Sequence, residues 1–428
     1  MNTQQHAALP KNSAGRVLIA SLAGTTIEFF DFYIYATASV LVFPKLFFPA
    51  GNPTTATLQS LATFALAFFA RPVGAALFGH FGDRIGRKAT LVAALMTMGC
   101  ATVLIGLLPT YGSIGIIAPI LLALLRFAQG LGLGGEWGGA VLLATENAPP
   151  GKKAWYGMFP QLGAPIGFLF STSMFLLLGK IMSDEQFFSY GWRIPFIASA
   201  LLVWVGLYVR LKLVETPAFL EIIEKNERVG LPIKDVLSKY AVILLLGTLV
   251  SITVFLLFYL MTVFTLSWGT TSLQYSHSSF LLAQMISMLF FAGAIIISGV
   301  YADRYGRSKV LMIASIAVLI FGLCFSQLFI AGNELLLIGF LSMGMFLMGL
   351  SYGPLGTALA EIFPPAVRYT GASLAFTLAG ILGASLTPYL ATRLANRYGL
   401  AYVGYYLSIA AALTTVSLIM ARSVMKEQ

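Results

Sequence analysis

Charged side chains are scarce in this 428-residue sequence. Asp, Glu, Lys and Arg make up 10% of it, whereas hydrophobic residues make up 58% and the mean hydropathy is +0.87. Soluble domains carry roughly 25% charged residues, so the shortage excludes a soluble globule and indicates a chain whose solvent is largely lipid. A spanning helix takes about 20 apolar residues, which leaves room for about a dozen spans.

Cysteine and histidine are also rare. The two cysteines and three histidines are far apart in sequence, so we expect no disulfide, no metal site and no cofactor. No Ser-His-Asp set or phosphate-binding loop is present, which argues against a membrane enzyme. The net charge of +10 is dispersed among short loops rather than clustered in one patch, so we expect no nucleic-acid partner.

The apolar runs predict an all-α membrane protein of twelve transmembrane helices in two six-helix bundles. The predicted organisation is a tail 1–16, a bundle 17–213, a charged central loop 214–240, a bundle 241–421 and a tail 422–428. The run that begins at Val17 is too long for a signal-peptide core. Apolar residues among the charges near 219–223 suggest a short helix on the membrane surface.

Loop charges give the orientation. Most of the 26 Lys and Arg residues, including Arg87 and Arg210, fall on the side of the two termini, and cytoplasmic loops carry such an excess. We therefore expect both termini in the cytoplasm. No feature of the sequence indicates an oligomer, and we expect a monomer.

One charged segment occurs twice. Gly79 to Lys88 reads GHFGDRIGRK and Gly299 to Ser308 reads GVYADRYGRS, about half the chain apart. Each is predicted to be a loop between two spans. A second pair of segments, ENAPPGKKAWYG from Glu146 and EIFPPAVRYTG from Glu361, repeats at similar spacing. A single Asp-Arg loop could be a solvated turn, but the repetition favours two related halves of a rocking transporter.

These motifs resemble the major facilitator superfamily, whose loop motif is G-x-x-x-D-R-x-G-R-[KR]. GTTIEFFDFYIY from Gly24, RFAQGLGLGGEWGGA from Arg126, ARPVG from Ala70 and VETPAF from Val214 are similar to its metabolite:proton symporter branch. That branch includes permeases for 2-oxoglutarate, citrate, shikimate and proline or betaine. The resemblance implies a multi-pass protein of a bacterial inner membrane that takes up a small metabolite with protons.

The resemblance also implies a gate, in which the motif residues latch helix ends across the two halves. Ser308 and Ala302 replace Lys88 and Gly82 in the second copy, so we expect the second latch to be weaker. The candidate gating residues are Asp83, Arg84, Arg87, Glu146, Asp303, Arg304, Arg307, Glu361 and Arg368.

Five charges are predicted inside the spans, all in the first half. Such residues are expensive in lipid and mark functional sites. Glu28 and Asp31 share one helix face with Tyr35, and Arg126 shares a face with Gln129. The candidates for proton coupling are Glu28, Asp31, Arg126 and Glu136, with Glu28 or Asp31 as the proton carrier. The candidates for substrate binding are Arg71, Arg126, Gln129, Tyr35, Gln161, Tyr259, Trp268 and Gln284.

Alternatives remain open at this point. Arg71 and Arg126 could merely neutralise the three acids as buried pairs. Gly130, Gly132 and Gly135 match a dinucleotide fingerprint, but no strand precedes them, so close helix packing is favoured. A drug:proton antiporter would share the motif, although PQLGAPIGF from Pro160 lacks its full glycine set. A non-transporting sensor of the same fold is a further alternative, and the transported metabolite stays open.

Overall fold

The computed structural model describes residues 13–49, 53–216, 220–221 and 232–424. Twelve long helices account for most of them, and the twelve-helix all-α prediction is confirmed. The first six are α1 (Ala14–Leu41), α2 (Pro53–Arg84), α3 (Arg87–Leu107), α4 (Ile117–Glu146), α5 (Lys153–Ile181) and α6 (Ile194–Leu211). The last six are α7 (Ala241–Thr271), α8 (His277–Tyr305), α9 (Arg307–Leu323), α10 (Glu334–Ile362), α11 (Arg368–Tyr398) and α12 (Leu400–Val424).

The outer surface of the bundle is apolar. Eleven of the helices are long and apolar enough to cross a membrane, and α9, at 17 residues, is slightly shorter. Large side chains such as Leu201, Trp204 and Ile313 point outward with about two-thirds of their surface exposed. Buried positions, in contrast, include arginines and carboxylates. This distribution is the one expected when lipid, rather than water, surrounds the protein.

The two halves pack with a common pattern. Within the first half α1 packs on α5 and α2 on α4, and within the second half α8 packs on α10 and α7 on α11. The halves meet where α2 contacts α11 and where α5 contacts α8. These two seams are equivalent under exchange of the halves, because α2 corresponds to α8 and α5 to α11.

The repeated charged segments are mostly helical, so the two connecting loops are shorter than predicted. Only Ile85 and Gly86 separate α2 from α3, and only Gly306 separates α8 from α9. Gly86 and Gly306 have φ values of 120° and 95°, a conformation that costs little only for glycine. The motif therefore forms a helix end, a tight turn and a helix start. The end of the bundle that carries both turns is called the motif end below.

Two helices of the second half contain π-helical turns. Leu260–Phe264 interrupts α7 and Ile381–Ser385 interrupts α11. Gln284 on α8 donates hydrogen bonds from its amide to the carbonyls of Met261 and Thr262, at 3.2 and 2.7 Å. The side chain thus satisfies backbone groups that the wider turn leaves free, as is required in a membrane.

Other predicted features lie at the edges of the described residues. Of the surface helix expected near 219–223, only residues 220 and 221 are described, and both are helical; most of the tail 1–16 lies outside the described residues. A short helix, Pro232–Ser238, leads into α7. Cys100 and Cys324 are free and lie on the outer surface.

Glycines of α4 bring three helices of the first half together. A Cβ at Gly134 would lie 2.0 Å from the carbonyl oxygen of Arg71 on α2, and one at Gly132 would lie 2.8 Å from the carbonyl oxygen of Ala94 on α3. The glycine run is therefore a packing surface for backbone, as favoured from the sequence.

We expect Gly134→Ala to lower the free energy of unfolding by about 1–3 kcal/mol, because the new methyl group meets rigid backbone. Gly179→Ala is the matched control: no atom lies within 4 Å of the position of its new Cβ. That control should keep or raise stability, by up to about 1 kcal/mol. Thermal unfolding of the purified protein in detergent measures both, and equal midpoints for the two variants would contradict the packing role.

Candidate functional site

Asp83, at the end of α2, binds the start of α11 in the other half. Its carboxylate accepts hydrogen bonds from the Thr370 hydroxyl at 2.8 Å and from the backbone N–H groups of Tyr369 and Thr370 at 3.3 and 3.1 Å. Arg87 donates to the same carboxylate at 2.7 Å. The first turn of a helix has unsatisfied N–H groups and a positive partial charge, so a carboxylate there holds the two halves together.

Arg87 extends this latch to two further elements. It lies 3.5 Å from the Glu146 carboxylate at the end of α4 and 3.4 Å from the carbonyl oxygen of Pro365 in the second half. Arg368 approaches the same Glu146 oxygen to 3.8 Å. The Arg87 side chain is fully buried. One cluster of alternating charge therefore closes the first seam.

The second seam carries the same arrangement in more open form. Asp303, at the end of α8, accepts hydrogen bonds from the backbone N–H groups of Ala154 and Trp155 at the start of α5, both at 2.8 Å. Arg307 lies 3.5 Å from Asp303 and 3.2 Å from Glu361. The Arg307 side chain is 24% exposed, compared with 0% for Arg87. This greater exposure fits the expectation of a weaker second latch.

Two of the candidate gating residues lie outside the latches. Arg84 is exposed and contacts the His80 ring on its own helix at 3.4 Å. Arg304 is exposed and lies over the Tyr305 ring, 5.3 Å from its centroid. The structure therefore brings together Asp83, Arg87, Glu146 and Arg368 at one seam and Asp303, Arg307 and Glu361 at the other.

Glu215 is a latch residue that the sequence analysis missed. Its carboxylate accepts hydrogen bonds from the backbone N–H groups of Arg87 and Lys88 at 3.0 and 3.2 Å, and so caps the start of α3. The neighbouring Thr216 donates to Glu146 at 2.6 Å. Both residues belong to VETPAF, a segment that the sequence analysis uses only as part of the family resemblance. The resemblance could have pointed to Glu215, but nothing in the sequence indicates that it caps α3.

Aromatic rings close the interior on the motif side. Trp137 on α4 stacks on Phe376 of α11, with ring centroids 3.6 Å apart and planes 5° apart. Trp137 donates to the Gln161 side chain at 2.9 Å, and Gln161 donates to the Tyr352 carbonyl at 3.0 Å. Gln161 thus uses both ends of its amide on protein partners. The structure gives it a positioning role instead of the predicted substrate contact.

A central cavity lies between the halves, beside the Trp137–Phe376 stack. Glu28 and Arg71 line it, together with aromatic side chains that include Tyr33, Tyr259 and Tyr352. Its volume is about 40 Å³, room for a few water molecules. Among the described residues, no ion pair within 4 Å joins Glu28 or Arg71 to any partner, and one oxygen of Glu28 accepts no hydrogen bond.

Further aromatic contacts join the halves away from the motif end. Tyr33 stacks on Phe258 with ring centroids 6.2 Å apart, and Phe68 meets Tyr259 edge to face at 5.6 Å. With the Trp137–Phe376 stack on the opposite side, these rings form contacts between the halves on either side of the cavity.

Asp31 and Arg126 lie at the two ends of a buried hydrogen-bond chain within the first half. Thr102 donates to Asp31 at 3.0 Å, Gln129 donates to the Thr102 hydroxyl at 2.7 Å, and Arg126 donates to Gln129 at 3.0 Å. The Arg126 guanidinium lies over the Tyr35 ring, 4.0 Å from its centroid. Two other Arg126 nitrogens have no hydrogen-bond partner within the described part of the chain.

Glu136 forms a buried ion pair with Arg210 of α6, which also donates to the Leu91 carbonyl at 2.8 Å. The sequence analysis counts Arg210 among the loop cations, whereas the structure buries it within α6. Five is therefore too low a count of the charges inside the spans. The pairing of Arg71 and Arg126 with the acids, left open as an alternative, does not occur in the described structure. We assign Glu136 a structural role, because its partner is already in place.

Two second-half candidates lie outside the cavity. Gln284 is committed to the π-helical turn of α7, and Trp268 stacks on Phe264 with centroids 6.0 Å apart. Tyr259 does line the cavity, as does Arg71. Tyr35, Arg126 and Gln129 do not line the cavity. Arg126 and Gln129 belong to the chain that leads to Asp31, whereas the Tyr35 hydroxyl donates to Thr63 at 2.9 Å.

Comparison with known proteins agrees with this architecture. Residues 16–230 match the family model of sugar and other transporters, and residues 270–426 match that of the Major Facilitator Superfamily. An inner membrane metabolite transport protein of Escherichia coli, YhjE, is 54% identical, with 96% of this chain and 94% of the relative covered. The chain belongs to the major facilitator superfamily.

Two further relatives are less similar in sequence. The shikimate transporter of Escherichia coli is 34% identical over 90% of this chain and 89% of its own, and the proline/betaine transporter of Salmonella typhimurium is 32% identical over 94% and 82%. The solved proton:xylose symporter XylE, bound to 6-bromo-6-deoxy-D-glucose, shares the fold with a TM-score of 0.77 at 16% identity, covering 96% of this chain and 95% of that one. The chain is a multi-pass metabolite transporter of this superfamily and not an enzyme.

We expect Asp83→Asn to open the motif end, because the charge that binds the first turn of α11 is lost. Hydrogen bonds to a charged group contribute about 1.5–3 kcal/mol, so reagent access to the interior should rise about tenfold or more. The measurement is the labelling rate of Thr377→Cys, at the cavity wall, in a protein whose native cysteines are serine. Asp235→Asn, at the surface, should leave the rate unchanged, and an unaltered rate in Asp83→Asn would contradict the latch.

Glu136→Leu should lower the free energy of unfolding by about 3–5 kcal/mol, because it leaves Arg210 buried without its counter-charge. The double variant Glu136→Leu/Arg210→Met removes both charges and should recover most of that loss. Denaturant unfolding of the parent and both variants gives the comparison. A double variant no more stable than the single one would show that the pair does not act as a unit.

Proposed function

We propose that this transporter takes up a small organic acid or zwitterionic metabolite together with protons, by alternating access. One observation carries the proposal: the Glu28 carboxylate and the Arg71 guanidinium, which form no ion pair among the described residues, line the same aromatic cavity between two halves that latches can hold or release. Uncompensated charges inside a membrane protein are retained for ion and substrate pathways. The cavity thus contains the elements of a coupled site.

The cavity chemistry favours a substrate with a carboxylate. A guanidinium binds a carboxylate through two parallel hydrogen bonds, and Arg71 offers one at the wall. Tyr33, Tyr259 and Tyr352 provide faces for an apolar ring or for a substituted ammonium group. Shikimate, proline and betaine, which the relatives are named for, all carry a carboxylate, and proline and betaine also carry a substituted ammonium group. Substrate entry requires the halves to separate, because the cavity has room for only a few waters.

The Asp31 network supports proton coupling. Thr102 has one hydroxyl hydrogen, and its Oγ1 lies 3.0 Å from both an Asp31 carboxylate oxygen and the Met98 carbonyl oxygen. When Asp31 is ionised, the Thr102 hydroxyl can donate its hydrogen bond to the Asp31 carboxylate. When Asp31 is protonated, Asp31 can donate to Thr102, and the hydroxyl hydrogen can turn to Met98. Each protonation state therefore has a complete set of hydrogen bonds at Thr102.

Glu28 is the second carrier candidate, three residues before Asp31 on α1 and at the cavity itself. Protonation of Glu28 would remove the negative charge of this carboxylate next to the substrate. Release of the proton would restore that charge. Arg126 lies at the far end of the Asp31 network and would sense the charge of that group. The function assigned here thus uses Glu28 or Asp31 as carrier, with Arg71 as the substrate anchor.

The orientation completes the proposal. The motif end carries the excess of Lys and Arg residues, so both termini and the latches would face the cytoplasm of a bacterial cell. The latches would then close the cytoplasmic side while substrate enters from outside. The protein would act as a monomer in the inner membrane.

We expect Glu28→Gln and Asp31→Asn to differ from the parent in coupling rather than in binding. Proteoliposomes would first be screened with labelled shikimate, proline, betaine and 2-oxoglutarate. At least one of the two variants should lose accumulation driven by a pH gradient but keep substrate exchange at equal concentrations, since exchange needs no net proton movement. Arg71→Gln should instead raise the half-saturating concentration for exchange by tenfold or more.

Glu185→Gln is the matched control, because Glu185 is an exposed carboxylate on the short helix Asp184–Ser189 away from the cavity. It should transport as the parent does. Unchanged pH-driven accumulation in both Glu28→Gln and Asp31→Asn would refute the proton assignment. Transport of cationic amphiphiles in place of all four acids and zwitterions would refute the substrate class.

A further inference from the structure

The side chain of Tyr369, at the start of α11, crosses the first seam. Its exposed fraction is 0%, and its hydroxyl donates a hydrogen bond to the carbonyl oxygen of Gly135 on α4 at 2.6 Å. The Arg87 guanidinium lies over its ring, 5.8 Å from the centroid. The Asp83 latch uses only the backbone N–H of Tyr369. The ring and hydroxyl therefore form a second connection, in which a side chain of the second half is buried among helices of the first.

Two glycines leave the space that the Tyr369 side chain occupies. A Cβ added at Gly82 on α2 would lie less than 3.0 Å from two atoms of the ring, Cδ1 and Cε1. A Cβ added at Gly139 on α4 would lie less than 3.0 Å from the hydroxyl oxygen. A larger residue at either position would have to displace the ring or a helix. We call the space between Gly82 and Gly139 the tyrosine slot.

The second seam has a different pair of residue sizes at the equivalent positions. In each seam the motif aspartate accepts a hydrogen bond from the N–H of a residue at the start of the opposite helix, Tyr369 in the first seam and Ala154 in the second. The residue before that aspartate is Gly82 in the first seam and Ala302 in the second. Both alanines are fully buried. The glycine thus occurs in the seam where the opposite helix carries the ring, and two alanines replace this pair in the other seam.

We propose that Tyr369 is a positioning residue of the gate and that Gly82 is its matched partner. A carboxylate can follow small movements of the groups that it binds, whereas a ring in a closely packed slot cannot. The Asp83 carboxylate binds the start of α11, and the ring fixes how closely this helix approaches α2 and α4. The motif end opens when the ring leaves the tyrosine slot. The fit between ring and slot therefore determines how often that end is open.

Access to the interior and separation of the halves test this role. Full-length protein in detergent, with its native cysteines replaced by serine, would carry Thr377→Cys at the cavity wall. A second set would carry spin labels at Ile85→Cys and Tyr305→Cys, which are exposed positions at the two motif turns, one in each half. The labelling rate of Thr377→Cys reports opening, and the distance between the spin labels reports whether the motif end opens. Both are measured well below the unfolding midpoint of every variant.

Substitutions of the ring and of the slot should both open the motif end. Gly82→Ala should raise the labelling rate tenfold or more and lengthen the spin-label distance, because the methyl group expels the ring. Tyr369→Ala should do the same, because the tyrosine slot is then empty. Tyr369→Phe keeps the ring and loses only the hydrogen bond to Gly135, so its labelling rate should lie between those of the parent and Tyr369→Ala.

The double variant Gly82→Ala/Tyr369→Ala is the decisive one, since it places in the first seam the alanine pair of the second. It should label no faster than Tyr369→Ala, because the new methyl group meets no ring. If the two substitutions instead multiply the labelling rate, the residues act independently and the proposal is overturned. If Gly82→Ala alone does not fold, the double variant must fold for the proposal to stand, because it removes the clash.

Two matched controls separate this effect from general loosening. Gly293→Ala on α8 has no atom within 4 Å of its new Cβ, and Tyr389→Ala removes a ring from α11 that is 64% exposed. Both should behave as the parent does. The proposal is overturned if Tyr369→Ala or Gly82→Ala labels as the parent does, or if either control opens the motif end equally. The readout needs neither substrate nor a proton gradient, so its failure would leave the proposed function untouched.

Discussion

A carboxylate bound to the first turn of a helix from the opposite half is the interaction on which the closed structure depends. Asp83 binds the start of α11 and Asp303 binds the start of α5, so each half holds the other. The aromatic stack of Trp137 on Phe376 joins the same two halves. Because the partners are backbone amides and short side chains, the bond requires precise helix placement and would break if the halves rotated.

The buried charges divide into two groups according to their partners. Asp83, Arg87 and Glu146 form one cluster, and Glu136 and Arg210 form a pair, so their desolvation is offset within the protein. Glu28, Asp31, Arg71 and Arg126 have no ion-pair partner within the described residues. In the proposed function, a substrate and a proton would supply the missing compensation to this second group. The difference would then separate groups that hold the fold from groups that take part in transport.

Sequence reasoning succeeded where a property is local and periodic. The twelve apolar runs and the repeated Asp-Arg motif predict the helices and the two halves, and Glu28, predicted inside a span, lines the central cavity. It failed for Arg210 and Glu215, because their partners, Glu136 and the amides of Arg87 and Lys88, are about 70 to 130 positions away. It also failed for Gln161 and Gln284, since a polar residue that satisfies other buried groups looks, in sequence, like one that binds a ligand.

The unequal chemistry of the halves has a mechanical consequence for the proposed transport cycle. The charged groups at the cavity, Glu28 and Arg71, both belong to the first half, whereas the second half contributes aromatic rings and carries the π-helical turns of α7 and α11. Rotation of the halves would therefore keep the charged pair together and move the aromatic wall across it. Glu28 and Arg71 would face the charges of the substrate in both orientations. The transport cycle would then change access to the cavity rather than the geometry of binding. The π-helical turns of α7 and α11 are consistent with this arrangement, because they would allow these two helices to bend locally where the aromatic wall moves.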